Sequence, residues 1–263
     1  MLTIYRYELK QNIKTLLIWT LSVGGMGLFC ILLFTGMKDN ISEMAESFAS
    51  MGAFSDAFGM KQLSIATLKG FYATEVGTIH ALGGSMFASI LSTTMLSKEE
   101  DGHTGEFLFT LPLSRPVVVT SKWCAIMTQL LFFNLACTLF YALGITALGE
   151  ELFPKEFVLY HLMQLLMQLE IAAICYAISA FFKKNKPGLG LGIVLILYAY
   201  DLIARISPKL SDYKMLSPFS FSNAADILST SGIDRSGTAL GIVLLLSSLI
   251  IAYVIYCKRD LAS

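Results

Sequence analysis

Residues 97–122 read SKEEDGHTGEFLFTLPLSRPVVVTSK and form the longest strongly polar segment between two hydrophobic runs of the chain. Each flanking run is long enough to cross a bilayer, so this stretch is where the protein can meet something soluble. The composition around it sets the class. Of 263 residues 55% are hydrophobic and 14% charged, with a mean hydropathy of +0.67, where a soluble domain carries roughly 25% charge. The chain therefore reads as an all-α integral membrane protein. With about 20 apolar residues per crossing, six transmembrane helices and modest loops use nearly the whole length. One transmembrane domain, residues 1–263, is expected, with no room for a separate soluble catalytic domain.

The expected spans cover about 15–37, 71–96, 123–148, 158–182, 188–206 and 237–256. Ahead of the first, Leu2, Tyr5, Leu9 and Ile13 share one helical face while Arg6, Lys10 and Lys14 share another. That pattern suits an N-terminal interfacial helix on the cytoplasmic surface, or else a plain continuation of span one. The apolar run that follows is too long for a signal peptide and no small-residue cleavage site follows it. Between spans one and two, Ile41, Met44, Phe48 and Met51 stand at helical spacing and predict a short amphipathic helix on the outer face. Span two carries the ladders Gly77, Ala81, Ser85 and Gly84, Ala88, Ser92, small residues that let helix backbones approach.

Orientation follows from the basic residues, which accumulate in short cytoplasmic loops. The four segments expected inside hold three, three, three and two of them, eleven of the 19 in the chain. Lys183, Lys184 and Lys186, closed by Pro187, make the tightest such turn. Six crossings put both termini in the cytoplasm. Net charge is zero and the pI about 6.8, which gives no reason to expect nucleic acid as a partner. The five cysteines are scattered through apolar runs and read as packing residues.

Enzymatic motifs are missing from the sequence. No G-x-x-x-x-G-K-[ST] occurs, so the chain cannot cradle nucleotide phosphates in a P-loop. His80, His103 and His161 fall in three segments without paired metal spacing, and there is no G-x-S-x-G elbow. No catalytic residue and no metal or cofactor in this chain is expected. Ionisable groups within spans are costly and carry a functional expectation of their own. Glu170 lies near the middle of span four, either in a substrate path or protonated and bonding a neighbouring helix. Gln168 shares a face with His161 and Gln164, and at 100° per residue Glu170 points almost opposite. Asp201 and Arg205, four apart near the outer end of span five, are spaced for an ion pair.

Within the opening stretch, Ser97 and Glu100 fit the S-x-x-E capping-box form. Gly102 to Gly105 break the helix, and Thr104 can cap a new one with Glu106 in its first turn. Phe107, Leu108 and Leu111 give that helix an apolar face, and Pro112 ends it. Such a two-turn helix is either a docking knob or an ordinary interfacial loop helix.

Glu99, Glu100, Asp101, Gly102, Thr104 to Leu108, Pro112, Ser114, Arg115 and Lys122 resemble the E-x-x-G-T-x-E-x-L-x-x-x-P-x-S-R-x-x-x-x-x-x-K signature of ABC-2-type ABC transporter permeases. The sequence departs from it by one additional residue, His103, between Gly102 and Thr104. Tyr7 to Lys10, Leu216 to Phe219 and Lys258 to Asp260 are similar to such permeases as well, so the resemblance covers the full length. It implies a homodimer or heterodimer of six-span subunits in a bacterial plasma membrane, seated on two copies of a separate ATPase that binds ATP and Mg. Residues Thr104 to Leu111 would be the coupling helix, with the Lys183 to Lys186 turn as a second cytoplasmic contact. ATP-driven closure of the ATPases would then switch the dimer between inward-facing and outward-facing states. In size and layout the chain is similar to exporters of amphipathic peptides, including phenol-soluble modulins, and to bacteriocin-immunity systems. A non-transporting sensor or immunity subunit, or an ion-coupled transporter working through Glu170, are the other readings.

Overall fold

The computed structural model describes residues 1–60, 62–103 and 114–259. Among them every regular element is helical. In chain order these are α1 (Leu2–Ala49), α2 (Ala53–Phe58), α3 (Leu68–Phe71), a π-helical turn (Tyr72–Val76), α4 (Gly77–Thr93) and α5 (Lys98–Asp101). There follow α6 (Arg115–Ala147), α7 (Pro154–Ser179), α8 (Pro187–Ile206), a 3-10 turn (Ser211–Leu216), α9 (Pro218–Phe221), α10 (Ala224–Thr230) and α11 (Arg235–Lys258).

Among the described residues five helical stretches are long and apolar enough to cross a membrane: Leu2–Lys38 of α1, α6, α7, α8 and α11. The stretch expected as span two is helical over 68–93, but the π turn divides it, and its longest regular piece, α4, has 17 residues. The expectation of a separate N-terminal interfacial helix is corrected: α1 runs without a break through 48 residues, about 72 Å of helix at 1.5 Å per residue. Nothing in residues 1–49 forces a break, since the first proline of the chain is Pro112. The stripe expected after span one likewise continues α1 as far as Ala49.

Prolines set several helix starts. Pro116, Pro154, Pro187 and Pro218 all fall in the first turn, where a missing N–H costs nothing and a fixed φ favours the helix. The Asp234 carboxylate accepts from the Ser236 and Gly237 amides at 3.1 and 3.2 Å and caps α11. α6 begins eight residues before the expected start of span three, so Arg115 to Lys122 form its first two turns.

α1 packs along α6, α7 against both α4 and α11, and α8 against α4. Small residues allow these approaches, as the ladders predict: Gly84 of α4 faces Gln168 and Phe133, and Gly144 of α6 sits where a Cβ would stand 2.9 Å from Leu28. Tyr72, Phe87, Phe133, Tyr141, Tyr160 and Tyr176 fill the interior. The periphery is apolar too, with Leu17, Phe29, Phe132, Leu139, Val243 and Ile250 exposed. That distribution suits a surface solvated by lipid tails.

Candidate functional site

The polar segment is described from both ends, Ser97 to His103 and Ser114 to Lys122. Thr104, Glu106, Phe107, Leu108, Leu111 and Pro112 lie outside the described residues. The expected capping box at its start does not form. Ser97 makes no cap bond; its hydroxyl donates to Asn185 Oδ1 at 2.9 Å. Glu100 is engaged elsewhere, by Arg259 Nη2. Both residues have long-range partners that outweigh a local cap. His103, the residue additional to the family signature, adopts the left-handed conformation with φ +52° and turns the chain out of α5.

The centre of the site is Lys122, fully buried on the second turn of α6. Its ammonium donates to Glu8 Oε1 and to the Met95 carbonyl, both at 2.8 Å, and to Glu99 Oε1. These three bonds use all three of its donors. Glu8, on α1, is 1% exposed and takes Lys98 on its other oxygen, while Lys98 also donates to Gln11 Oε1 at 2.7 Å. Burial and the nearby Lys122 ammonium push the Lys98 pKa down, against the opposing pull of Glu8 and Glu99. The cluster thus joins α1, α5 and α6 through two lysines and two carboxylates.

A second knot lies beside it. Arg259, just past α11, donates to the Ala180 and Phe182 carbonyls at 2.6 and 3.0 Å as well as to Glu100. Arg115 Nη1 donates to the Cys257 carbonyl at 3.2 Å and to that of Arg259. Tyr176 donates to the Val119 carbonyl at 2.8 Å, and the Leu96 amide donates to Ser179 Oγ at 3.0 Å. The base of the polar segment is therefore tied to α1, α6, α7 and α11.

Of the expected coupling residues, Glu99 and Glu100 turn their carboxylates into these knots, whereas Asp101 and Gly102 are exposed. Lys183, Lys184 and Lys186 are exposed on the neighbouring turn, with Lys186 Nζ 4.1 Å from the centre of the Phe182 ring. The Ser97–Asn185 bond brings that turn against the segment. Glu8 falls in the Tyr7 to Lys10 stretch that resembles ABC-2-type permeases and is the only acid in residues 1–14, but no sequence pattern pointed to its lysine partners. It shares the buried stripe with Ile4, rather than the face through Leu2, Tyr5, Leu9 and Ile13 that the spacing suggested.

Inside the bundle the polar residues separate into three groups. Gln168 accepts from Asn134 Nδ2 at 2.7 Å, and Asn134 Oδ1 lies 3.1 Å from His80 Nε2. Since that oxygen can only accept, His80 carries its proton on Nε2 and offers Nδ1 to the Tyr141 hydroxyl at 3.2 Å. His161 pairs with Tyr72 at 2.9 Å, its ring 5.1 Å from His80. Glu170 points the other way, against Gly241 and Phe221 of α11 and α9, and its Oε2 makes no hydrogen bond. Third, Arg205 bridges Asp201 at 2.9 Å and Asp226 at 3.1 Å, extending the expected pair to a third residue. Gln168, Glu170 and the Asp201–Arg205 pair are not brought together. No three His, Cys, Asp or Glu side chains converge to hold a metal among the described residues.

A search among curated proteins finds no match. A family model described as ABC-2 family transporter protein matches residues 2–261. That family consists of membrane subunits of ABC transporters, which are not themselves catalytic and normally work with an ABC ATPase. Matched over nearly its full length, with several helices able to cross a bilayer, the chain belongs to the ABC-2 family of transporter proteins.

Proposed function

We propose that this chain is the six-span transmembrane subunit of an ATP-driven exporter that moves an amphipathic peptide or another hydrophobic substrate out of the cell. The sixth crossing is the helical run over 68–93, whose 26 residues supply about 39 Å of helix at 1.5 Å per residue. Both termini and residues 97–122 then lie in the cytoplasm. Residues 104–111, which lie outside the described residues, are the segment that docks on the ATPase, with Asp101 and Gly102 as its approach and the Lys183 to Lys186 turn as a second contact. Two such subunits sit on two ATPases, which hold the ATP and Mg.

One observation carries the reading. The first glutamate and the last lysine of the family signature, Glu99 and Lys122, meet in a buried ion pair that also takes in Glu8 of α1. A push on the docking segment that is transmitted to Glu99 and Glu100 would reach α1 and α6 through Lys122 and Glu8, and the end of α11 through Arg259. Buried pairs of this kind resist slippage because separating them strands a charge. The test is reconstitution with the ATPase and a labelled amphipathic peptide. Glu106→Lys and Phe107→Asp should leave membrane insertion intact and uncouple hydrolysis from peptide movement; normal coupling in both variants would remove the knob from the account.

A further inference from the structure

A partly open cavity of about 40 Å³ lies where α2, the π turn, α4, α7, α8 and the α9–α10 corner meet. A single water needs about 10–15 Å³ by this measure, so the space admits a small polar group with room around it. Asp201 and Gln164 both line it. Each is at most 2% exposed, and each carries a buried oxygen, Asp201 Oδ1 and Gln164 Oε1, with no hydrogen bond.

Four of the lining side chains commit their donors elsewhere. The Thr74 and Thr78 hydroxyls donate to the carbonyls of Gly70 and Thr74 at 3.1 and 2.6 Å. Gln164 Nε2 donates to the Ser222 carbonyl at 2.8 Å, and the Ser222 hydroxyl bonds Met167 Sδ at 2.9 Å. Tyr198 and Asn223 also bring a hydroxyl and an amide to the lining, but among the described lining residues the buried side-chain atoms left without a partner are both acceptors, Asp201 Oδ1 and Gln164 Oε1. The charge is also shared unevenly, since Asp201 and Asp226 divide one guanidinium, Arg205, between them. A carboxylate oxygen buried without a donor is costly, and its complement is a compact cation.

We propose that this cavity is a binding site for a small monovalent cationic head, with a primary ammonium group the best fit because it can donate to both oxygens. The head comes either from a free ion or from an amine of the transported molecule. Only the second source rests on the export reading, and the test below needs no transport.

The full-length protein in lipid nanodiscs, at constant ionic strength in N-methylglucamine chloride, is titrated with methylammonium, potassium or tetramethylammonium while thermal unfolding is followed by intrinsic fluorescence. Methylammonium should raise the Tm saturably, and tetramethylammonium, which has no N–H, should not. Gln164→Leu leaves the Arg205 ion pairs in place and should weaken the methylammonium effect roughly tenfold or more, as loss of a bond to a charged group does. Asp201→Asn should abolish it. An equal response to potassium assigns the site to a free ion, and a response to methylammonium alone assigns it to an amine. No saturable shift with any cation, or shifts unchanged in Gln164→Leu, would overturn the proposal.

Discussion

Replacing Lys122 with methionine is the sharpest perturbation of the cytoplasmic base. Methionine keeps most of the apolar stem, so little cavity is opened and the change acts through the lost charge. In the native protein the ammonium is fully buried and holds Glu8, Glu99 and the Met95 carbonyl. Without it, Glu8, only 1% exposed, keeps Lys98 alone as a counterion. Removing one partner of a buried pair costs about 3–5 kcal/mol, most of it the penalty on the charge left behind. For a chain of this size that lowers the Tm by roughly 6–20 °C. The assay is thermal unfolding in nanodiscs across a double-mutant cycle of Lys122→Met and Glu8→Gln. If the cost is stranded charge, the double variant is less destabilised than the sum of the singles, with a coupling energy of about 1–3 kcal/mol. Additive singles, or a Lys122→Met protein that melts with the parent, would refute the reasoning.

Gly84→Ala should cost about 1–3 kcal/mol, because its Cβ lands on Gln168 Nε2 and presses on Phe133. Gly25→Ala, where nothing lies within 4 Å, should be neutral or slightly stabilising, and paired thermal melts check both. Arg205→Lys loses the fork that reaches Asp201, Asp226 and the Ser220 carbonyl together. It should lower stability by about 1–3 kcal/mol in the same assay; an unchanged melt would mean that the bridge contributes nothing.

Five of the six expected spans were legible in the sequence, because long apolar runs have few alternatives in water or lipid. Rotation about α7 was legible as well: two residues are 200° apart, and Gln168 and Glu170 do face different neighbours. The boundary of α6 was not. A lysine at position 122 ended the expected loop, and only its partners Glu8 and Glu99, 114 and 23 residues away, make a helical and buried Lys122 acceptable. The capping box at Ser97 failed for the same reason, since Asn185 and Arg259 lie 88 and 159 residues distant from their partners. The π turn at Tyr72–Val76 leaves no comparable pattern, for its residue types also suit an α-helix. The His80–Asn134–Gln168 chain joins three helices through polar residues that stand in three separate apolar runs. Local periodicity carries no information about which of them meet.

The proposed function has the ATPase meet residues 97–122. Photo-crosslinking tests it most directly, with a photoreactive residue at Phe107 or at the exposed Asp101, and at the exposed Tyr213 as a control. Adducts with the ATPase from Phe107 and Asp101 and none from Tyr213 are predicted. ATPase adducts absent from the first two positions, or present at Tyr213, would contradict the account.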